Sequence, residues 1–230
     1  MQTSTARRAE LHGAQAEASR VAVVDALAVG DLSPGELAAH LGMASNLLAH
    51  HLKVLEAARI VRRARSEGDR RRTYVTLELN DPSVLQVVGP PSWASPAARV
   101  VFVCTHNSAR SHLARAAFER ATGLPAASAG TAPAPSVHPG AARAAARHGL
   151  DLSGHPTAHA DDVVRPDDLV VAVCDNAYET SLDAGTPVIH WSVPDPVRAG
   201  SDAAFDAALA QILVRTERLG RSLTDTRSPT

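Results

Sequence analysis

The apolar run RVVFVC at residues 99–104 constrains the fold more than any other part of the sequence. A strand with one face in water alternates polar and apolar residues, so an unbroken apolar run predicts a strand that is buried on both faces. AASAG (126–130), DLVVAVC (168–174) and PVIHW (187–191) predict three further strands. Because segments with a helical pattern alternate with these runs, we expect a four-stranded parallel sheet with helices on both faces.

The helical segments around these four strands have recognisable apolar faces and ends. The segment 111–123 is predicted to form an amphipathic helix that turns Leu113, Ala117 and Phe118 inward and ends at Gly123. Pro139 suits the first position of the next helix. The last helix is predicted to bury one face, formed by Phe205, Leu209, Ile212, Thr216 and Leu219.

A proline-rich stretch at 80–99 divides the chain, since proline removes a backbone donor and disfavours helix in the residue before it. We expect an N-terminal domain at 1–85, a linker at 86–97, a C-terminal domain at 98–222 and a disordered tail at 223–230. The sequence has no run of eighteen apolar residues, and its two cysteines are too few for a disulfide framework. These features predict a cytoplasmic protein that makes no membrane contact and uses its thiols chemically.

The N-terminal part has the pattern of three helices. Residues 19–29 place four apolar side chains on one helical face: Val21, Val24, Leu27 and Ala28. The segment 31–42 has the residue types of a capped helix: Ser33, Pro34, Glu36 and Gly42. The third helix, 45–58, is predicted to begin with a capping serine, Ser45, and to turn three leucines inward: Leu48, Leu52 and Leu55. The last two helices, joined by a tight turn, predict a helix-turn-helix.

An arginine-rich hairpin is predicted after these helices, with two strands around a loop at 67–69. Six arginines lie within eleven positions: Arg62, Arg63, Arg65, Arg70, Arg71 and Arg72. Such a cluster beside a helix-turn-helix favours contact with DNA phosphates. The alternative is a small helical domain whose arginines are simply solvated.

The segment 5–80 resembles the winged-helix domain of the ArsR family of bacterial repressors, most clearly in HLKVLEAARIV (51–61). The resemblance implies a homodimer that binds operator double-stranded DNA. It assigns one set of residues to base edges and another to phosphates: Ser45, Asn46, Ala49 and His50 to bases, and Lys53, Arg70, Arg71 and Arg72 to phosphates. Metalloid sensors of this family often carry a cysteine pair before the recognition helix. This sequence has none there, so no metal site is expected.

The residues after the first apolar run have the spacing of an oxyanion trap. Cys104 is followed by five residues and then Arg110. A loop from a strand end to a helix N-terminus points N–H groups at one centre, where the helix dipole stabilises a thiolate. Ser111 can donate to the sulfur, and Arg110 can hold two oxygens of an oxyanion. The pattern predicts a cysteine nucleophile in an oxyanion-binding loop: Thr105, His106, Asn107, Ser108, Ala109 and Arg110. Of these, Asn107 tolerates the left-handed backbone that such a loop needs.

The segment 99–221 resembles the low-molecular-weight tyrosine phosphatase superfamily and, within it, the arsenate reductases. VFVCTHNSARS (101–111), SAGT (128–131) and HWSVPDP (190–196) carry the resemblance. It implies that Asp195 is the general acid that protonates a leaving oxygen and that Asp175 helps to order a neighbouring loop. It also places Cys174 where the reductases have their second cysteine.

The choice between reductase and phosphatase rests on a few positions. The arsenate reductases are the closer match, as indicated by the segment HWSVPDP, by His106 and by an aromatic content of 3%. Phosphotyrosine enzymes of this group usually line their pockets with aromatic side chains. Reductases that use thioredoxin need a third cysteine, but that position is Ser181, and Ala109 replaces the extra loop cysteine common among the phosphatases.

We therefore expect arsenate or a phosphate-like oxyanion to bind Cys104 without a bound cofactor. Either a low-molecular-weight thiol or Cys174 would resolve the adduct. Two alternatives stay open: a protein tyrosine phosphatase-type hydrolase, and a non-catalytic oxyanion sensor that controls DNA binding.

Overall fold

The computed structural model describes residues 4–91, 99–180 and 188–225, which fall into two units. The first unit comprises Met1–Ser66 and Arg70–Trp93, and the second comprises Glu67–Asp69 and Ala94–Thr230. Residues 92–97 of the expected linker and residues 226–230 of the expected tail lie outside the described residues, as does Ser181.

The first unit is mostly helical and contains one hairpin. Its elements are α1 (Thr5–Gln15), α2 (Ala18–Val29), α3 (Pro34–Leu41), α4 (Ser45–Ala57), β1 (Val61–Arg65), β2 (Thr73–Leu77) and α5 (Pro82–Leu85). The two strands are antiparallel, from Val61 opposite Leu77 to Arg65 opposite Thr73. Helices α3 and α4 followed by this hairpin confirm the predicted winged helix-turn-helix.

The predicted helix ends are found at α3, but α4 does not begin with the predicted cap. Ser33 Oγ accepts a hydrogen bond from the Glu36 N–H at 3.2 Å, and the Glu36 carboxylate accepts one from the Ser33 N–H at 2.7 Å, which is a capping box. Gly42 ends α3 in the left-handed region, with φ of 60°. The predicted cap at Ser45 is wrong, because Ala44 occupies the N-cap position and Ser45 is the first helical residue.

The core of the first unit contains the predicted leucines of α4 and most of the predicted face of α2. Leu48, Leu52 and Leu55 are all buried. Val21 was predicted to face inward but is 38% exposed, whereas Val23 is fully buried. The difference arises because α2 packs against α1, α3, α4 and β2, so its buried face is rotated toward the side that carries Val23.

The second unit has a parallel sheet flanked by helices, as predicted. Its elements are β3 (Arg99–Cys104), α6 (Arg110–Thr122), β4 (Ala126–Gly130), α7 (Pro139–Arg147), α8 (Ala160–Val163), β5 (Asp168–Ala172), α9 (Asp175–Thr180), β6 (Val188–His190), α10 (Pro196–Ala199) and α11 (Asp202–Asp225). The strand order is β4-β3-β5-β6 with every pair parallel. Because β3 lies between two neighbours, the loop that follows it opens at the centre of the sheet's carboxyl edge.

Helix α6 is more deeply buried than the sequence predicts. Every residue from Arg110 to Phe118 is buried, including the charged Arg110 and Arg115. The prediction of an amphipathic helix is therefore wrong for its first nine residues. The reason is that β3, β4, α7 and α11 all pack against α6, which leaves no side of those turns in water.

The apolar core holds the sheet against its helices. The Phe102 ring on β3 lies 5.7 Å from the ring of Phe118 and 5.7 Å from that of Trp191. The predicted inner face of α11 is buried as expected: Phe205, Leu209, Ile212, Thr216 and Leu219. No helix in the described part of the chain has the length and apolar character needed to cross a membrane.

Candidate functional site

Cys104 is the last residue of β3 and is buried beside Ser111. Its Sγ lies 3.2 Å from the Ser111 Oγ. The Asn107 side-chain amide donates to the same Oγ at 2.9 Å. Because a thiolate has no proton to donate, the Ser111 hydroxyl is the donor whenever Cys104 is ionised. The arrangement brings together three residues that the sequence selected and gives the thiolate a hydrogen-bond donor.

The carbonyl groups of Cys104 and of the loop that follows it are hydrogen-bonded to the segment after β4. Four carbonyls, those of residues 104, 105, 106 and 108, accept hydrogen bonds from the N–H groups of residues 131, 132, 134 and 138 at 2.8 to 3.1 Å. Because the N–H across a trans peptide bond points opposite to its carbonyl, the N–H groups of the loop face the other side. Asn107 makes the turn possible with φ of 45°, in the left-handed region. The result is a cradle of backbone donors suited to an oxyanion.

Gly130 is a residue of this site that the sequence analysis did not single out. It lies at the end of β4 opposite Cys104. A Cβ at this position would be 2.8 Å from the Thr105 carbonyl oxygen and 2.9 Å from the Asn107 nitrogen. Only glycine therefore allows β4 to approach the loop so closely. Its place in the SAGT segment (128–131) is the sequence signal that points to it.

Arg110 begins α6 and reaches two groups of the segment that follows β6. Its Nη1 donates to the Val193 carbonyl at 2.8 Å, and its Nη2 lies 3.7 Å from the Asp195 Oδ2. Burial lowers the pKa of the guanidinium, but Cys174 and Cys104 in their ionised forms and the Asp195 carboxylate raise it, and the pKa lies above its usual value. The side chain is thus a fixed cation beside the cradle, as the sequence predicts of an arginine at this spacing.

Asp195 is brought to the site from a distant part of the sequence. Its carboxylate caps α10 by accepting a hydrogen bond from the Val197 N–H at 3.1 Å, and its side chain is 25% exposed. A carboxyl group at the edge of the cradle, with partial access to water, is placed to exchange a proton with a bound oxyanion.

Cys174 lies in the same cluster and is buried two residues after the end of β5. Its Sγ is 3.6 Å from the Thr105 Oγ1 and accepts a hydrogen bond from the Ala177 N–H at 3.4 Å. Burial raises the pKa of the Cys174 thiol, although the charge of Arg110 acts in the opposite direction. Cys174 is therefore protonated at neutral pH and is a weak nucleophile there.

His112 is a second residue that sequence reasoning missed. It is fully buried on α6, and its Nδ1 lies 3.5 Å from the Ser128 Oγ. Burial, with a smaller contribution from the charge of Arg115, lowers the pKa of the ring from 6.5 to about 4. The ring is neutral at neutral pH, so it fills the space under the loop without adding a charge.

The remaining sequence-selected residues of the loop differ in exposure. His106 is exposed, Thr105 is half-buried, and Ser108 and Ala109 are buried. The described residues contain no group of three or more His, Cys, Asp or Glu side chains arranged to hold a metal ion.

The DNA-binding candidates of the first unit lie on exposed surfaces. On α4 five of them are exposed: Ser45, Asn46, Ala49, His50 and Lys53. Arg70, Arg71 and Arg72, between β1 and β2, are exposed as well. His51 is buried, and its Nδ1 lies 3.0 Å from the Glu17 Oε2. This contact ties α4 to the N-cap of α2.

Two protein families match separate parts of the chain. The model of the low molecular weight phosphotyrosine protein phosphatases matches residues 99–228. The model of the bacterial regulatory proteins of the arsR family matches residues 18–63. No curated protein matched the chain in the corresponding search.

Several solved structures are similar to the second unit. An arsenate reductase from Archaeoglobus fulgidus DSM 4304 is 33% identical, with 53% of this chain and 98% of that chain covered and a TM-score of 0.47. The tyrosine phosphatase Wzb from Escherichia coli K30, in complex with sulphate, is 22% identical, with 55% and 99% covered and a TM-score of 0.50. A thioredoxin-dependent arsenate reductase from Corynebacterium glutamicum is 25% identical, with 59% and 66% covered and a TM-score of 0.47.

The family match to residues 99–228 takes in more than half of the chain and every residue of the Cys104 site. The arsR match takes in α2, α3 and α4. The chain therefore belongs to the low molecular weight phosphotyrosine protein phosphatase family, and it carries an ArsR-family helix-turn-helix ahead of that domain.

Proposed function

We propose that this chain is a transcriptional regulator of the ArsR type whose second unit reduces arsenate with a low-molecular-weight thiol. The observation that carries the proposal is the position of the Cys104 Sγ, 3.2 Å from the Ser111 Oγ at the base of the donor cradle. Arg110 supplies the fixed positive charge at the end of that cradle and Asp195 supplies a proton. Thiolate, cation and acid together are the parts that covalent attack on an oxyanion requires.

The first step is attack of the Cys104 thiolate on arsenic. An S–As bond forms, and one As–O bond breaks. Asp195 gives its proton to the departing oxygen, which leaves as water. The cradle N–H groups and Arg110 hold the other oxygens, whose negative charge would otherwise repel the thiolate.

The second step reduces arsenic. A small thiolate attacks the Cys104 sulfur, an S–S bond forms, and the electron pair of the S–As bond stays on arsenic, which leaves as arsenite. A second thiol then releases Cys104 and carries away the disulfide. Cys174 is a poor choice for the attacking thiol, because burial raises its pKa. We therefore assign resolution to a thiol from solution.

Hydrolysis of phosphate esters is a second candidate activity, and the contact between Asp195 and Arg110 favours it. An acid 3.7 Å from the cradle arginine is placed to protonate an ester oxygen as it leaves. Water would then cleave the S–P bond and free Cys104. Both activities pass through a covalent adduct on Cys104 and differ in how that adduct is broken down. In arsenate reduction a thiol attacks the Cys104 sulfur, and in ester hydrolysis water attacks phosphorus.

The experiment that tests this proposal uses the purified full chain. Arsenite formation is measured with arsenate and each of several small thiols, and hydrolysis of an aryl phosphate is measured in parallel. We expect thiol-dependent arsenite formation. Ester hydrolysis without arsenite formation would instead support the second candidate, and neither product would contradict both.

We also propose that the first unit binds operator DNA as a homodimer, with the N-terminal half of α4 on base edges. The exposed residues of α4 before Glu56 include no carboxylate, so this surface suits a polyanion. Arg70, Arg71 and Arg72 add exposed positive charge between β1 and β2. Lys53 and these arginines are assigned to phosphates, and Ser45, Asn46, Ala49 and His50 to bases.

Replacing Arg70, Arg71 and Arg72 together by alanine is expected to weaken binding to all DNA sequences. Each lost phosphate contact should reduce the slope of log affinity against log salt by about 0.9. Binding is measured by fluorescence anisotropy at several salt concentrations. The matched control replaces Arg143, Arg147 and Arg221, three exposed arginines of the second unit, and changes the net charge equally. An equal change of slope in both triple variants would contradict the assignment.

A further inference from the structure

The segment 190–195, which carries Asp195, is fixed by an unusually buried stretch. His190, Trp191, Ser192 and Val193 are all between 1% and 6% exposed. Two of the four are polar, and a buried polar side chain must be matched by a partner. The backbone of the segment is held by hydrogen bonds from the Trp191 N–H to the Ala172 carbonyl at 2.8 Å and from the Asp195 N–H to the Glu67 carboxylate at 3.0 Å. The partners of His190 and Ser192 add side-chain contacts to these.

Asp175 is the shared partner. The His190 Nε2 lies 2.9 Å from the Asp175 Oδ1. Burial raises the pKa of Asp175, but hydrogen bonds from the side chains of His190 and Ser192 lower it, and the pKa lies below its usual value. An ionised carboxylate only accepts hydrogen bonds, so the Nε2 of His190 carries a proton and donates it.

A second contact fixes the orientation of the His190 ring. The ring stacks on Tyr178 with centroids 4.2 Å apart and planes 7° apart. Both Asp175 and Tyr178 belong to α9. Tyr178 thus fixes the plane of the His190 ring, and Asp175 fixes the position of its Nε2 atom.

The same segment reaches the cradle three residues further on. The Val193 carbonyl accepts the hydrogen bond from the Arg110 Nη1 at 2.8 Å, and the Asp195 carboxylate lies 3.7 Å from the Arg110 Nη2. A shift of the segment would therefore move two groups together: the Asp195 carboxylate and the Val193 carbonyl that binds Arg110.

We infer that His190 is a positioning residue that, through its hydrogen bond to Asp175, sets the distance of the Asp195 acid from the cradle. The inference rests on the proposed acid role of Asp195. Pairing with β5 sets the register of the main chain, and the hydrogen bond from His190 to a fixed carboxylate adds a directional side-chain contact at the start of the segment. Proton transfer to a leaving oxygen is sensitive to misplacement on the order of 1 Å.

The test uses three aryl phosphates whose leaving groups differ in basicity: phenyl, 4-nitrophenyl and 2,4-dinitrophenyl phosphate. A basic leaving group needs the proton of the acid, and a weakly basic one does not. His190→Phe keeps a planar ring for Tyr178 and removes the donor. We expect it to lower kcat by about 10-fold or more for phenyl phosphate and by less than about 3-fold for the dinitrophenyl ester. His190→Gln, which keeps a donor, should largely restore the wild-type ratio.

A merely structural role would give another pattern. Loss of folded protein lowers all three rates equally, so an equal loss for the three esters overturns the inference. If His190→Phe does not fold, Ser192→Ala carries the same test, because it removes the second side-chain hydrogen bond that the segment makes to Asp175. A graded loss is expected there also, and a uniform loss overturns the inference.

The outcomes separate this inference from the function on which it rests. If Asp195→Asn shows a graded loss while His190→Phe shows a uniform one, only the positioning role is wrong. If the wild-type chain hydrolyses none of the esters, or if Asp195→Asn leaves the ratio of rates unchanged, the acid role of Asp195 fails and the inference fails with it.

Discussion

Replacing Cys104 by serine is expected to abolish turnover, with a loss on the order of 10⁴-fold or more in both arsenate reduction and ester hydrolysis. A serine hydroxyl in this cradle is far less ionised than a thiol and forms no disulfide with a reducing thiol. The cradle itself should survive, because its donors are backbone N–H groups held by the hydrogen bonds to residues 131–138. Phosphate should therefore still bind to the variant, as measured by titration calorimetry.

The matched control is Cys174→Ser, which removes the other thiol of the chain. It should keep most of the activity if a thiol from solution resolves the adduct. Activity in Cys104→Ser comparable to that of the wild type would contradict the account. Loss of arsenate reduction but not of ester hydrolysis in Cys174→Ser would instead make Cys174 the resolving thiol.

The second large effect is expected at Asp195. Asp195→Asn should slow hydrolysis of phenyl phosphate by roughly 10²–10⁴-fold, because the leaving oxygen then receives no proton from the protein. Asparagine is a good N-cap, so the start of α10 should be preserved. Arsenate exchanges its oxygens more readily, and its reduction should fall by a smaller factor. Steady-state rates with both substrates measure the difference.

Asp161→Asn is the control for this change, because Asp161 is an exposed carboxylate in the first turn of another short helix, α8. It should leave both rates near those of the wild type. Equal losses in the two assays for Asp195→Asn would contradict the distinction between the two chemistries.

The parts of the site that are contiguous in sequence were predictable. Cys104, Asn107, Arg110 and Ser111 lie within eight positions, and the strand-to-helix context alone indicates what each can contact. The capping box at Ser33 was predictable for the same reason, since its two partners are three residues apart. Sequence spacing is therefore enough to predict contacts between residues that lie close together in the sequence.

The contacts between distant segments were not predictable from patterns. Asp195 entered only through a family resemblance, because 84 positions separate it from Ser111 and no spacing rule links them. The Val193 carbonyl and the pair of His190 with Asp175 have no sequence signal of their own, since they depend on how β6 ends beside α9. Packing also overrode the periodicity of α6, whose buried arginines resemble a solvated face when only the sequence is considered.

The central claim, that Cys104 is the reacting thiol and is resolved by a small thiol, is tested most directly by trapping the intermediate. The full chain is mixed with arsenate and one equivalent of thiol, quenched in acid, and digested for mass spectrometry. The account predicts a mixed disulfide between Cys104 and the added thiol that forms only with arsenate, while Cys174 stays free. A disulfide between Cys104 and Cys174, or no arsenate-dependent modification of Cys104, would contradict it.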